Sequence, residues 1–168
     1  MNAIGLYRVG NWLHRHRVPL LPRVVYYLTF LIFNSAIPPS CQIGSGSRFA
    51  YGGIGVVLHS RCRIGKGVLI GQNVTVGGSF GSEVPIIGDN VFIGPGVRII
   101  GGIHVGSNVV LGANAVVIQD IPNNCVAAGV PARVLRTIPE NYLDALTGTF
   151  RDSAQHDSVL AATVSQET

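Results

Sequence analysis

Charged residues are scarce in this 168-residue chain, at 12% of the total, against about 25% in a typical soluble domain. Acidic residues are missing from the first half altogether, because all eight follow residue 82. Residues 1–82 therefore carry a formal charge of +8 and residues 83–168 a charge of −4. The low charge excludes a disordered chain. The basic first half predicts an anionic partner, such as a lipid surface, an acidic glycan or a phosphate-bearing ligand.

Cysteine is scarce as well. Cys41, Cys62 and Cys125 are odd in number, widely spaced and contain no Cys-x-x-Cys pair. This pattern predicts free, mostly buried thiols in a reducing compartment and no metal site. Neither zinc-ligand spacing nor an aromatic RNA-binding motif accompanies the basic half, so we expect no nucleic-acid partner. Without a signal-peptide pattern, we expect a cytoplasmic protein, either free or at the inner face of the membrane.

Glycine is in excess, with 22 residues beside 47% hydrophobic residues. The glycines do not recur every third residue, which excludes a collagen-like chain. Instead, an aliphatic residue recurs every six positions from Ile87 to Val117, and a second apolar residue lies four positions after each. A period of six predicts short strands bent at glycines, three hexapeptides forming one triangular coil of about 18 residues. The predicted inward positions are Ile43, Phe49, Leu58, Cys62, Ile64, Val68, Ile70, Val74, Val76, Ile87, Val91, Ile93, Val97, Ile99, Ile103, Val105, Val109, Leu111, Ala115, Val117 and Ile121.

The repeat is interrupted twice. The spacing between Val76 and Ile87 is eleven, so about five residues of 77–85 must loop out of the coil. The spacing between Phe49 and Leu58 is nine, so about three residues of 50–55 must bulge. Insertions in a solenoid commonly carry binding residues, which makes these two segments the candidate functional loops.

The hexapeptides resemble those of a known family. Ile-Gly-Asp-Asn-Val-Phe-Ile-Gly-Pro-Gly-Val (87–97), Leu-Gly-Ala-Asn-Ala-Val-Val (111–117) and the closing Ala-Gly-Val-Pro-Ala-Arg-Val (128–134) are similar to the left-handed β-helix hexapeptide acyltransferases. Within that family the chain resembles the serine acetyltransferase-like and polysaccharide O-acetyltransferase branch, through Leu-Tyr-Arg-Val-Gly-Asn-Trp-Leu (6–13) and Asn-Val-Thr-Val-Gly-Gly (73–78). The resemblance covers roughly residues 6–136.

The resemblance implies a mainly β chain with a left-handed parallel β-helix, assembled as a homotrimer. It also implies acetyl-CoA as acyl donor, bound in the groove between neighbouring β-helices, with no metal. A histidine general base would deprotonate the acceptor hydroxyl for direct attack on the thioester, because a hydroxyl is a poor nucleophile near pH 7.

Three segments are predicted: an N-terminal helical cap (1–36), the β-helix acyltransferase domain (37–136), and a C-terminal helix with a flexible tail (137–168). Helices are expected over 2–16 and 22–34. The apolar run in the second helix is too short to span a bilayer. It either caps the first coil or a trimer partner, or makes peripheral membrane contact through residues 15–33, beside three arginines. A capping-box pattern at Thr137–Glu140 predicts the C-terminal helix, which Gly148 would end.

His59 is the predicted general base, because it occupies the corner after Leu58 next to the bulge; the alternative is a polar surface corner. The segment Tyr-Gly-Gly-x-Gly-Val-Val-Leu-His (51–59) is similar to polysaccharide-modifying relatives with a histidine at this corner. Tyr51 would orient the acceptor or bind the histidine, or else cover a coil end. Gly77 and Gly78 would supply N–H groups to the oxyanion or the cofactor, or else form a positive-φ turn.

No acid precedes residue 83, so the partner of His59 is expected to be Glu83 or Asp89, a residue of a neighbouring subunit, or a backbone carbonyl. The resemblance also implies cofactor contacts. Small residues would let the pantetheine arm lie against backbone, and guanidinium groups would meet the nucleotide phosphates unless they are only solvated cap charges. These cofactor-binding candidates are Gly94, Gly112, Ala113, Ala115, Arg133 and Arg136.

The acceptor is predicted from two departures. Serine acetyltransferases carry Asp-His after the residue that matches Phe49, where this chain has Ala50-Tyr51, and Arg-His before the loop proline, where it has Glu83-Val84. We therefore expect O-acetylation of a sugar hydroxyl in surface polysaccharide biosynthesis. The alternatives are serine O-acetylation in cysteine biosynthesis, N-acetylation of an amino sugar, and a non-catalytic β-helix scaffold. A metal enzyme of the carbonic anhydrase type is disfavoured, because its histidine triad is absent.

Overall fold

Two helices precede fourteen short strands in the computed structural model, which describes residues 2–79, 83–139 and 142. The helices are α1 (Ala3–Arg15) and α2 (Leu21–Phe33), close to the predicted spans. The strands are β1 (Gln42–Ile43), β2 (Arg48–Phe49), β3 (Val57–Leu58), β4 (Arg63–Ile64), β5 (Leu69–Ile70), β6 (Thr75–Gly77), β7 (Ile86–Ile87), β8 (Phe92–Ile93), β9 (Arg98–Ile100), β10 (His104–Val105), β11 (Val109–Leu111), β12 (Val116–Val117), β13 (Cys125–Gly129) and β14 (Ala132–Thr137).

The strands stack into three parallel faces of one β-helix. Face 1 holds β1, β4, β7 and β10; face 2 holds β2, β5, β8, β11, β13 and β14; face 3 holds β3, β6, β9 and β12. Successive coils pair in register, so that Arg63, Ile86 and His104 form one column on face 1. Among the strands of the described residues, β14 alone runs antiparallel, against β13. The predicted left-handed β-helix of triangular coils is confirmed.

Aliphatic side chains fill the interior of the coils. All of the predicted inward positions are buried, with exposed fractions of 8% or less. Ile70, Ile93 and Ile99 are completely inaccessible. The alternation of inward and outward residues on each two-residue strand accounts for this result, because a single inward position per strand recurs with the hexapeptide period.

Asparagine and glycine in the left-handed backbone region make several of the corners. Asn73, Asn90 and Asn114 have φ between 53° and 57°. Gly96 has a φ of 71° and lies directly below Asn114, whose side-chain oxygen would collide with a methyl group on the glycine. Since β-carbon clashes exclude most residues from this region, these positions explain part of the high glycine content.

Helix α1 closes the N-terminal end of the β-helix. The Tyr7 hydroxyl donates to the carbonyl oxygen of Cys41 at 2.7 Å and accepts from the N–H of Ile43 at 3.2 Å. The Arg8 guanidinium donates to the carbonyl oxygens of Ile43 and Gly44 at 2.6 and 2.5 Å. These bonds satisfy backbone groups of the first coil, which has no coil beneath it.

Strand β14 covers the last coil and was not predicted from the sequence. It pairs with β13 from Gly129↔Ala132 to Cys125↔Thr137. Thr137, predicted as the start of the C-terminal helix, is the last residue of this strand. The rest of that predicted helix, including Glu140 and Gly148, lies outside the described residues.

All three cysteines are free and buried, as predicted. The sulfur atoms of Cys41 and Cys62 lie 2.9 Å apart inside stacked coils. The hydrogen bond with Cys62, followed by burial, raises the pKa of the Cys41 thiol far above its usual range. Burial also raises the pKa of the Cys125 thiol. Within the described ranges, no helix combines the length and the hydropathy of a bilayer-crossing segment.

Candidate active site

His59 lies at the corner where β3 ends and the chain turns from face 3 to face 1. Its backbone N–H donates to the carbonyl oxygen of Val76 at 2.8 Å, which fixes the corner against the coil above. Its carbonyl oxygen accepts from the N–H of Cys62 at 3.1 Å. The side chain is half-buried, which leaves part of the ring open to a ligand.

The imidazole of His59 is held by a neighbouring backbone group. The N–H of Arg61 donates to Nδ1 of His59 at 3.1 Å. Because a nitrogen that accepts a hydrogen bond carries no proton, the neutral ring in this arrangement is protonated on Nε2. In this state Nε2 is a hydrogen-bond donor. The ring acts as a base only after Nδ1 releases the Arg61 bond, because Nδ1 then either takes the acceptor proton or receives the ring proton and leaves Nε2 free to do so.

A cleft of about 470 Å³ opens on face 1 directly after this corner. Arg61, Arg63 and His104 line it together with Glu83. Two guanidinium groups against one carboxylate make the cleft suited to an anionic group, such as a carboxylate or a phosphate. Arg63 and His104 reach it through the face 1 register, although they are 41 positions apart in the chain.

The two acids predicted as partners of His59 lie differently. Asp89 accepts a hydrogen bond from the N–H of Lys66 at 2.7 Å, which occupies it at another corner. Glu83 is exposed, packs over Gly102 and lines the cleft. Among the described residues, the group found on the His59 ring is the N–H of Arg61, so neither acid orients it.

Gly77 and Gly78 lie one coil above His59, where the chain leaves β6 for the long insertion. A methyl group on Gly77 would come no closer than 3.4 Å to Ile100, and one on Gly78 would lie 3.2 Å from the carbonyl oxygen of Glu83. Neither is among the glycines with positive φ in the described chain. The positive-φ turn considered for them is therefore wrong. Gly77 pairs with Ile100 in the β6–β9 ladder, which uses its N–H, so the role of N–H donor stays a prediction for Gly78 alone.

Tyr51 lies at a different corner from His59. It follows β2 in the turn Ala50–Gly53, between faces 2 and 3, with a φ of 48° and 76% of its surface exposed. With Phe92 and Gln72 it lines a second, mostly apolar cleft of about 370 Å³. Within one chain the fold does not place Tyr51 beside His59. Gln72 Oε1 is buried there without a partner in the described chain, so a hydrogen-bond donor from a ligand would satisfy it.

Two of the glycines predicted to contact the pantetheine arm, Gly94 and Gly112, are required by the close stacking of the coils. A methyl group on Gly94 would lie 2.7 Å from the carbonyl oxygen of Leu111, and one on Gly112 would lie 2.7 Å from the methyl carbon of Ala128. Ala115 is completely buried, so its methyl group packs in the core and is inaccessible to a cofactor; a side-chain contact there is excluded. Ala113 is exposed and keeps its predicted role.

Arg133 and Arg136 are exposed on β14, next to the last coil. Arg133 donates to Gln119 Oε1 at 3.2 Å, and Arg136 donates to the hydroxyl of Tyr142 at 2.9 Å. The Arg136 guanidinium also lies 5.3 Å from the centre of the Tyr142 ring. Both groups are held at the surface by neutral partners, which leaves their positive charge available to an anion.

Comparison with known proteins decides the family. Residues 85–119 match the family model "Bacterial transferase hexapeptide (six repeats)". The chain is 37% identical over 136 residues to the serine acetyltransferase of Synechococcus elongatus, covering 79% of this chain and 55% of that protein. It is 36% identical over 138 residues to the serine acetyltransferase of Helicobacter pylori (strain J99), covering 80% of each. The chain belongs to the serine acetyltransferase family.

The fold agrees with that family. The crystal structure of the serine acetyltransferase of Brucella abortus in complex with coenzyme A has a TM-score of 0.76 and 31% identity, covering 82% of this chain and 56% of that one. The predicted resemblance to hexapeptide acyltransferases is thereby confirmed. The chain spans only 55% of the length of the Synechococcus protein and 56% of the Brucella abortus chain.

The face 1 cleft contains three residues, Arg61, Arg63 and His104, that the sequence did not predict as site residues. Their signal lay in the period of the coils. Once the insertion at 77–85 is set aside, Arg63 and His104 occupy the same outward position of successive coils, with Ile86 between them.

Proposed function

We propose that this chain transfers the acetyl group of acetyl-CoA to the hydroxyl of serine. The observation that carries the proposal is the 36% identity with the serine acetyltransferase of Helicobacter pylori over 80% of both chains. The comparisons support this alternative better than the sugar acceptor expected from the sequence. The face 1 cleft adds chemical support, since Arg61 and Arg63, which follow the His59 corner, line it and would attract the carboxylate of an amino acid.

A sugar hydroxyl is the second candidate acceptor. The resemblance implies an Asp-His pair where this chain has Ala50-Tyr51, or Tyr51-Gly52 if the gap is placed differently, and Tyr51 lines a mostly apolar cleft with aromatic Phe92. Aromatic surfaces suit the apolar faces of a sugar ring, whereas a small zwitterion needs charged partners. The two clefts thus favour different acceptors.

His59 would take the proton of the acceptor hydroxyl. The hydroxyl oxygen then bonds to the thioester carbonyl carbon, the carbon–sulfur bond breaks, and the CoA thiolate receives the proton from the imidazolium. Before this step Nδ1 must lose its bond from Arg61, either to take the proton itself or to receive the ring proton so that Nε2 becomes the base. Of the two predicted donors, the N–H of Gly78 is suited to hold the oxyanion, because Gly78 follows β6 one coil above His59, whereas the N–H of Gly77 is bonded within the β6–β9 ladder.

Acetyl-CoA would bind along the upper coils. Ala113 and the Gly112 backbone offer a surface without bulky side chains, while Arg133 and Arg136 offer positive charge for phosphates. We propose a homotrimer, in which the groove between neighbouring β-helices encloses the pantetheine arm. Within one chain, Tyr51 and His59 lie at different corners. In a trimer, the Tyr51 corner of a second copy would approach His59 of the first.

The first experiment measures release of the CoA thiol with serine, neutral sugars and amino sugars as acceptors. We expect turnover with serine and a loss of about 100-fold or more in kcat for His59→Ala, since a positioned general base contributes about 10²–10⁴-fold. His16→Gln is the matched control, because His16 is an exposed histidine at the end of α1. It should keep the wild-type rate.

The outcomes separate the proposals. Turnover with a sugar and none with serine would establish the second candidate acceptor. Full activity of His59→Ala would remove the histidine from the mechanism while leaving the acetyltransferase assignment intact. Failure to bind acetyl-CoA and to use any acceptor would favour the non-catalytic scaffold.

A further inference from the structure

Helix α2 exposes a face that a soluble monomer normally buries. Seven of its large apolar side chains are between 44% and 77% exposed, and an eighth, Leu20, precedes it at 71%. Exposed apolar residues on soluble monomers are usually scattered, and a concentrated patch marks an interaction site. The side chains on α2 are Leu21, Val24, Tyr27, Leu28, Phe30, Leu31 and Ile32.

The opposite face of α2 packs against the rest of the protein. Thr29 and Phe33 are buried, and Pro22, Val25 and Tyr26 are half-buried. These positions recur at intervals of three and four, which is one face of a helix. The exposed positions Val24, Tyr27, Leu28 and Leu31 follow the same intervals on the other face. Helix α2 is therefore apolar on both sides, although the described part of the chain packs against only one of them.

Positive charge is concentrated at one end of this exposed face. Arg15 ends α1, Arg17 lies in the connection, and Arg23 begins α2, so all three lie at the tip of the helical hairpin. They are exposed, and no acidic residue precedes Glu83 to neutralise them. Trp12, 58% exposed, stacks on His16 near the same end with 4.3 Å between ring centres. Arginines and a tryptophan beside an apolar face are typical of a membrane interface.

A small cleft joins the charged tip to the apolar face. It has a volume of about 340 Å³, and His14, Arg23, Tyr26 and Tyr27 contribute to its lining. A guanidinium and an imidazole beside tyrosine hydroxyls can bind a phosphate while the aromatic rings contact hydrocarbon. The cleft therefore lies where the headgroup of a phospholipid would meet the boundary between polar and apolar surface.

The dimensions of α2 fix how it would meet a bilayer. Thirteen residues span about 20 Å, shorter than the roughly 30 Å hydrocarbon core. The buried face of α2 is packed against the rest of the protein, so the helix can insert only its outer face. The orientation that satisfies both conditions is parallel to the membrane plane.

We propose that the α1–α2 hairpin docks the protein onto an anionic phospholipid surface, with the outer face of α2 in the acyl boundary and the tip arginines on lipid phosphates. A second copy of the chain is a less suitable partner for the outer face of α2 than a membrane is. Pairing two hairpins brings together two sets of arginines, and neither contains an acid to offset them. An anionic membrane matches both the apolar face and the charge.

The test is flotation of the full chain with vesicles of phosphatidylcholine alone and of phosphatidylcholine with phosphatidylglycerol. We expect association with the anionic vesicles and little with the neutral ones. Tyr27→Ser with Leu31→Ser should weaken association by about tenfold or more, because it removes apolar area from the outer face. Leu135→Ser is the matched control: this leucine is 65% exposed on β14 and should bind as wild type does.

The charge contribution has its own pair of variants. Arg23→Gln should weaken association by roughly fivefold, as expected for one basic residue at an anionic surface. Lys66→Gln, an exposed lysine at a β-helix corner, should leave it unchanged. All four variants change exposed residues, and circular dichroism would verify that each is folded.

Three results would overturn the proposal. One is that the folded wild type floats with neither vesicle. Another is equal flotation with neutral and anionic vesicles, which would remove the role of the arginines. The third is that Tyr27→Ser with Leu31→Ser lowers the molar mass in light scattering while vesicles bind nothing, which would assign the face to contact between copies.

Discussion

At the scale of single residues, Tyr7 shows how a polar group enters the core at low cost. Its ring is 2% exposed, and its hydroxyl both donates and accepts a hydrogen bond with first-coil backbone. Burial, followed by the electrostatic interaction with Cys41, raises the pKa of Tyr7 to about 12. The neutral phenol is thus the form that the fold requires.

The alkaline stability of the protein should reflect this tyrosine. Between pH 10 and 12 the unfolded chain loses the phenol proton while the folded chain retains it, so stability falls as the pH rises. The shift from 10 to about 12 corresponds to about 3 kcal/mol at most. In Tyr7→Phe this part of the decrease should disappear, as seen in the free energy of unfolding measured by urea titration from pH 8 to 12. An equal decrease in both proteins would assign the alkaline transition to the buried thiols.

For His59, the sequence predicts the position of the residue but not its hydrogen bonds. The sequence placed His59 at a corner beside the bulge, because the six-residue period counts corners reliably. It did not predict the hydrogen bond from the N–H of Arg61 to Nδ1, because that bond depends on the turn conformation two residues later. A sequence pattern identifies the residue type at a corner, whereas the protonated nitrogen depends on local geometry.

At the scale of elements, substitution of alanine for glycine should have opposite effects on the free energy of unfolding at two positions. Gly5 lies in α1 with no atom near the position of an added β-carbon, whereas a methyl group on Gly94 would lie 2.7 and 2.8 Å from backbone atoms of the next coil. Gly5→Ala should raise the free energy of unfolding by about 0.5–1 kcal/mol through helix propensity. Gly94→Ala should lower it by about 1–3 kcal/mol through overpacking. Thermal and urea unfolding of the pair would check both signs; stabilisation by Gly94→Ala would show that the coils can move apart.

Strand β14 explains the main difference between the expected and observed elements. The coils were predictable because their inward residues recur with one period and every parallel ladder repeats it. The reversal after Gly129 interrupts that period, and an antiparallel strand with five exposed residues has no recurring apolar pattern. The helices were predictable for the same reason as the coils, since their buried faces follow a periodic pattern.

At the scale of the whole molecule, the two ends of the β-helix need covers. Helix α1 covers the first coil, and β14 pairs with β13 on face 2. A chain ended after Pro131 would expose the β13 edge, and unpaired parallel edges recruit other chains. We expect it to form large aggregates in light scattering, whereas a chain ended after Tyr142, which keeps β14, should not. A truncated chain that stays dispersed and folded would show that β13 needs no cover.

The long insertion between β6 and β7 leaves the ladders on either side in register. Val76 still pairs with Ile99, and Arg63 with Ile86, although about five extra residues leave the coil between them. Doubling the length of a loop costs only about 0.6 kcal/mol in closure entropy. Evolution can therefore lengthen, shorten or replace this segment without disturbing a single core position. Because Glu83 and Val84 of this segment line the face 1 cleft, the lining of that cleft can change while the core residues of the coils stay the same.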